Sequence, residues 1–117
     1  MPESFERSAL TEAVFYILLS VYTPMHGYAI MQKIQQLTHN RVRLGAGTLY
    51  GALNTLSEKK WITIHTESSD GRKKEYVITS LGRKVFSMEL ERLAELLHNA
   101  TTLKENQYGQ NYQEDIC

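Results

Sequence analysis

Apolar and polar positions along the chain predict helices, then strands, then one long helix. Between about Ser8 and Tyr22, Leu10, Val14, Ile17, Leu18 and Val21 recur at helical spacing, and Phe15, Tyr16 and Leu19 fill the remaining sides. A helix apolar nearly all round is buried on more than one side. Thr23-Pro24 ends it, because the residue before proline is pushed out of the α region. Met25-His26-Gly27-Tyr28 opens a second helix, with Tyr28, Ile30, Met31, Ile34 and Leu37 on its apolar side and an end near Thr38–Asn40. Arg41-Val42-Arg43-Leu44 reads as a short extended piece with both arginines outward. Leu49, Leu53 and Leu56 then form the apolar face of a third helix ending near Glu58.

Trp61-Ile62-Thr63-Ile64-His65-Thr66 alternates with period two and is rich in β-branched residues, which predicts a strand. Lys74–Ile78 is its partner, and Asp70-Gly71 makes the turn at the tip between them. Thr79 can cap a last helix running from about Ser80 to Lys104. On it, Phe86, Leu90, Leu93, Leu97 and Ala100 step four, three, four, three, a heptad-like seam. Val85, Met88, Leu96 and Leu103 broaden that seam. A second copy of the chain is the simplest cover for it, and packing against its own domain is the alternative. Residues 1–7 read as loose, and the polar, acidic tail from Glu105 as disordered.

The predicted fold is mostly α with a small two-stranded wing (α+β). A winged helix-turn-helix occupies residues 8–79, a C-terminal dimerisation helix 80–104, and a disordered tail 105–117.

The third helix has an unusual outer face. Gly47, Thr48, Tyr50, Gly51, Asn54 and Thr55 are small or hydrogen-bonding, and none is charged. A solvated face normally holds Glu, Lys or Gln, and Gly51 costs about 1 kcal/mol against Ala inside a helix. Close approach to a large partner, such as the floor of a DNA major groove, would favour this set. Two other readings are a glycine loop and a nucleotide phosphate loop. The second is weak, because Gly45, Gly47 and Gly51 do not fit G-x-G-x-x-G and no Walker lysine follows.

Net charge is zero, with 13 basic and 13 acidic residues, but the charges are segregated. Residues 33–84 hold ten Lys and Arg against four Asp and Glu, while both ends are acidic. A basic middle is what a phosphate partner requires. Asn54 is then the best base reader, since an amide can pair with adenine. Thr48 and Tyr50 suit phosphates, and Gly51 belongs to the same groove face. Arg72, Lys73 and Lys74 on the wing reach a neighbouring groove or backbone, although a plain solvated hairpin would look similar. Arg41, Arg43 and Lys33 add positive charge. His26 could cap its helix, touch a phosphate, or simply occupy a turn.

The single cysteine, Cys117, permits no internal disulfide, which fits a reducing cytosol. No signal peptide is evident, and the longest apolar run is too short to span a bilayer, so a cytoplasmic protein without membrane contact is expected. His26, His39, His65 and His98 lack partners at metal-ligand intervals, and no Ser/His/Asp arrangement is apparent. No metal, cofactor or enzymatic activity is expected.

Several motifs together resemble the PadR family of bacterial transcriptional regulators. They are Thr11-Glu12-Ala13-Val14-Phe15, His26-Gly27-Tyr28, Gly45-x-Gly47-Thr48-Leu49-Tyr50-x-x-Leu53, Gly71-Arg72-Lys73-Lys74-x-Tyr76-x-Ile78-Thr79 and Gly82-Arg83. The resemblance covers about residues 10–100. It implies a homodimer whose last helix packs on the partner's first, repression at an inverted-repeat promoter operator, and in many members release by a small molecule. The short final helix resembles the family's compact branch, which includes multidrug sensors and regulators of phenolic-acid detoxification. Some drug-sensing relatives stack ligands on a tryptophan of the long helix. Here the only tryptophan is Trp61, at the base of the wing. A phenolic or drug-like effector would instead meet Phe15, Leu19, Phe86, Leu90 and Leu93 between subunits. The competing reading is a winged-helix protein-interaction module that does not bind DNA.

Overall fold

A computed structural model of the chain describes residues 9–71 and 73–110. The first helix, α1, spans Glu12–Ser20. It starts late relative to its apolar pattern because Thr11 caps it: the Thr11 hydroxyl accepts the Val14 N–H at 3.1 Å. Ile17, Leu18 and Val21 are fully buried beneath it.

After Pro24 the chain runs extended through β1, Met25–His26, and enters α2, Gly27–Leu37. Then α3 spans Ala46–Glu58. Both α2 and α3 end in a Schellman motif. At the end of α3, Lys60 takes a left-handed φ of 65°, so the Trp61 N–H can donate to the Leu56 carbonyl at 3.0 Å. At the end of α2, His39 plays that part with φ 52°, and the Asn40 N–H donates to the Gln35 carbonyl at 2.8 Å. The buried Thr38 hydroxyl ties this turn to the next segment. It donates to the Ile34 carbonyl and accepts the Val42 N–H.

Strands β2, Ile62–Glu67, and β3, Lys74–Ile78, form the expected antiparallel hairpin. A register shift between Ile64 and Thr66 leaves His65 as an extra residue, a bulge that bends the wing. The sheet has three strands, not two, in the order β1-β3-β2. Met25 pairs with Tyr76 and His26 with Glu75. Two residues are too few to produce an alternation, so this edge strand left no signal in the sequence.

The last helix, α4, covers Ser80–Gln110. The Thr79 hydroxyl accepts the Gly82 N–H at 3.0 Å, the cap expected of it. The helix continues past Lys104, so residues 105–110, the first part of the tail expected to be disordered, are helical. Extending a formed helix adds one hydrogen bond per residue fixed, so a polar continuation is tolerated. Residues 111–117, including Cys117, lie outside the described residues.

One core joins these elements. Ile17, Leu18, Val21, Ile30, Ile34, Leu49, Leu53, Leu56, Ile62, Tyr76, Ile78 and Phe86 are buried together. Two glycines sit at close approaches, one to backbone and one to the exposed Tyr50 ring. A Cβ on Gly82 would strike the Trp61 carbonyl and come within 2.7 Å of Ile78. A Cβ on Gly27 would come within 2.5 Å of the Tyr50 hydroxyl oxygen. Glu89 is buried on α4. It accepts the Leu10 N–H at 3.2 Å and forms a two-point pair with Arg92 at 2.8 and 2.7 Å. These bonds hold the start of the described chain against the long helix.

Candidate nucleic-acid interface

The buried leucines Leu49, Leu53 and Leu56 anchor α3, and its opposite side faces outward. Gly47, Thr48, Tyr50, Gly51, Asn54 and Thr55 are all exposed. A methyl group built on Gly47 or Gly51 would meet nothing within 4 Å. These glycines are therefore not required by the chain's own packing. The helix begins on Gly45, which supplies no side-chain cap, so first-turn amides are left available to an outside acceptor.

The outer face has two flanks around the glycine ridge. On one side Tyr50 and Asn54 face the wing. They line a cleft of about 650 Å³ together with His26, Tyr28, Lys73, Lys74 and Tyr76. On the other side Thr48 and Thr55 border a mostly apolar hollow of about 430 Å³ against Leu10, Val14 and Trp61. Thr48 is thus separated from Tyr50 and Asn54 by the ridge. The Tyr50 ring lies over Gly27, which places its hydroxyl at the start of α2.

The wing supplies charge beside this face. Lys73 is exposed and Lys74 half-buried, both on the cleft. Arg72 lies outside the described residues. The tip is closed by hydrogen bonds: Ser68 donates its hydroxyl to Asp70 at 2.6 Å and accepts the Lys73 N–H at 3.1 Å. Burial, more than the nearby Tyr50 and Glu67, pushes the Tyr76 phenol above its ordinary value.

The other expected contacts differ among themselves. Lys33 and Arg43 are exposed. Arg41 is engaged by Glu12 in a two-point ion pair that holds the Glu12 carboxyl below its ordinary value. His26 stands at the N-cap position of α2 but makes no capping bond. Instead its Nε2 lies 3.7 Å from Glu75, its cross-strand neighbour, and its Nδ1 is buried without a partner. Gly27 and Tyr76 stand in the sequence only as motif residues, because their places at the cleft depend on which elements meet. Glu12, likewise quoted only as a motif residue, gives no sequence sign of its pairing with Arg41.

A second exposed surface lies on α4. Leu90, Leu93, Leu96, Leu97 and Leu103 are 37–68% exposed, and Leu19 on α1 is 38% exposed. Phe86 does not share that surface. It is 4% exposed and packs on Phe15 with ring centroids 4.8 Å apart, and on Tyr22 at 5.6 Å. That corrects its expected place at a subunit seam, because the seam's first position points into the chain's own core. Ala100 is exposed in line with the leucines. Among the described residues no helix is long and apolar enough to cross a membrane, and no group of three His, Cys, Asp or Glu could hold a metal.

Comparison with known proteins bears on the family and the fold. The model of the transcriptional regulator PadR-like family matches residues 15–88. An uncharacterized 37.1 kDa protein in transposon TN4556 of Streptomyces fradiae is 38% identical over 73 residues, 62% of this chain and 20% of that protein. The chain thus spans about a fifth of that relative's length. Among solved structures, a PadR family transcriptional regulator from Eggerthella lenta superposes with a TM-score of 0.68 at 20% identity, covering 90% of this chain and 89% of the other. A PadR-like transcription factor from Bacteroides fragilis gives a TM-score of 0.67 at 21% identity, covering 87% and 96%.

Proposed function

The chain belongs to the PadR-like family of transcriptional regulators, and from that premise we propose that it is a homodimeric repressor whose two α3 helices enter successive major grooves of an inverted-repeat operator. The observation that carries this reading is the outer face of α3. It is exposed, uncharged and hydrogen-bonding, with two glycines that nothing in the chain itself requires. Asn54 reads a base edge, while Tyr50 and Thr48 bond phosphates on either side of the ridge. Lys73 and Lys74, with Arg72 beside them, neutralise backbone charge next to Tyr50. Lys33 and Arg43 add to the field, and Arg41 orders the α1–α2 region through Glu12.

The leucine face of α4 is the surface for the second copy, with Leu90, Leu93, Leu97 and Ala100 at its centre. Isologous pairing there would set two α3 helices about one duplex turn apart. Release by a small molecule belongs to the same proposal. With Phe15 and Phe86 packed on each other, a site between subunits would open at Leu19, Leu90 and Leu93.

Titration of a promoter-length duplex at two salt concentrations tests the DNA-binding half. Each neutralised phosphate contributes about −0.9 to the log–log salt slope. A steep negative slope is expected. Binding with no slope, or none at low salt, would favour the protein-interaction module instead. Asn54→Ala should relax base preference, whereas Lys73→Ala should weaken all sequences alike and flatten the slope by about one unit. Identical behaviour of the two variants would remove Asn54 from its assigned role.

A further inference from the structure

We propose that the cleft between α2, α3 and the wing is also a ligand site, for a small planar anion: an aromatic ring carrying a carboxylate or a phosphate. Its volume of about 650 Å³ lies within the range of small-molecule sites. Three tyrosine rings, Tyr28, Tyr50 and Tyr76, line it and offer flat apolar faces. Lys73 and Lys74 bring positive charge, and the lining contains no Asp or Glu. Among the described residues neither lysine is in an ion pair. Glu67, the cross-strand neighbour of Lys74, and Glu75, beside His26, border the cleft without lining it, and two ammonium groups outside any ion pair attract anions into it.

The remaining polar groups also suit an acceptor-rich ligand. The Asn54 amide and the phenolic hydroxyls can donate. His26, also on the cleft, has a buried Nδ1 with no partner. A duplex resting on the glycine ridge of α3 touches the exposed Tyr50 and Asn54. Tyr76, 7% exposed, lies deeper in the cleft than those two side chains. The inner part of the cleft therefore exceeds what a groove-bound helix uses.

The consequence rests on the DNA reading above. Tyr50, Asn54, Lys73 and Lys74 would serve both partners, so ligand and operator compete directly. No signal across a subunit interface is needed.

Calorimetric titration of the full chain without DNA tests the site. The probes are salicylate, adenosine monophosphate, inorganic phosphate and phenol. At least one ring-bearing anion should saturate, and which of the two binds more tightly identifies carboxylate or phosphate as the preferred group. Inorganic phosphate and phenol should bind about tenfold more weakly or worse, as should the preferred probe to Lys74→Gln or Tyr76→Phe. Thermal melting of each variant confirms that it is folded. No saturation by either ring-bearing anion, equal binding of inorganic phosphate, or indifference to both substitutions in folded variants would overturn the proposal.

A mixed-sequence duplex at low salt tests the competition. Its apparent Kd should rise in proportion to ligand concentration without a plateau, and a plateau would overturn direct competition. If the duplex fails to bind even without ligand, the DNA reading fails while the calorimetric result still decides the site.

Discussion

A methyl group on Gly82 would run into the Trp61 carbonyl, and one on Gly27 into the Tyr50 ring; a methyl on Gly47 or Gly51 would meet nothing. The first pair sits where α4 and α2 begin, and the chain's own packing explains it. The second pair sits on the open face of α3, where glycine weakens the helix and no residue of the chain gains from it. A position that costs stability and relieves no internal crowding points to a partner outside the chain. The leucine face of α4 offers a second contrast. It is just as uncovered, but it is apolar and long-sided, which suits a packed protein interface and not a groove of hydrogen-bonding bases.

The internal half of this contrast breaks most visibly at Gly82. We predict that Gly82→Ala lowers stability by about 3 kcal/mol, because the obstructing atom is backbone and cannot swing aside. Thermal unfolding measures it, and a neutral substitution would mean that the α4–β2 contact is looser than described. Next in size is Leu93→Asp. It should give monomers in sedimentation and about 100-fold weaker operator binding, or ~2.7 kcal/mol. An intact dimer would remove α4 as the partner surface.

Glu89→Gln is a smaller break, expected to cost about 1–2 kcal/mol through the Arg92 and Leu10 bonds. It also has a pH signature. The Glu89 carboxyl is held below its ordinary 4.5, chiefly by Arg92 and also by the Leu10 amide. It therefore binds a proton less readily in the folded chain than in the unfolded one. Its contribution is present above the ordinary carboxylate pKa and is lost as pH falls through the lowered folded value. Stability measured down through the acid range should fall less steeply in Glu89→Gln than in the parent chain. Parallel curves would show that the buried pair does not titrate with folding.

Much of this was legible in the sequence, because period and punctuation report local structure. The three-and-four spacing of Leu49, Leu53 and Leu56 and the alternation from Trp61 to Thr66 placed α3 and β2, and Thr79 marked the start of α4. What escaped depends on encounters between distant residues. Met25 and His26 become a strand only because Tyr76 and Glu75 lie beside them. Phe86 fits the seam by spacing, but its ring meets Phe15 and Tyr22. Arg41 reads as a free cation in one dimension, but Glu12 lies opposite it. The open face of α3 was readable because absent charge and misplaced glycine are visible in one dimension. Its division into two flanks was not, since that depends on where the wing and the start of α1 stand.

The smallest change in stability gives the sharpest test. Replacing Gly51 with alanine adds one methyl group to the open ridge of α3. Paired melting and duplex-binding measurements on Gly51→Ala should show stability rising by about 0.5–1 kcal/mol from helix propensity, while duplex affinity falls about tenfold. A variant that is more stable and binds duplex as tightly as the parent would contradict the assignment of α3 to the groove.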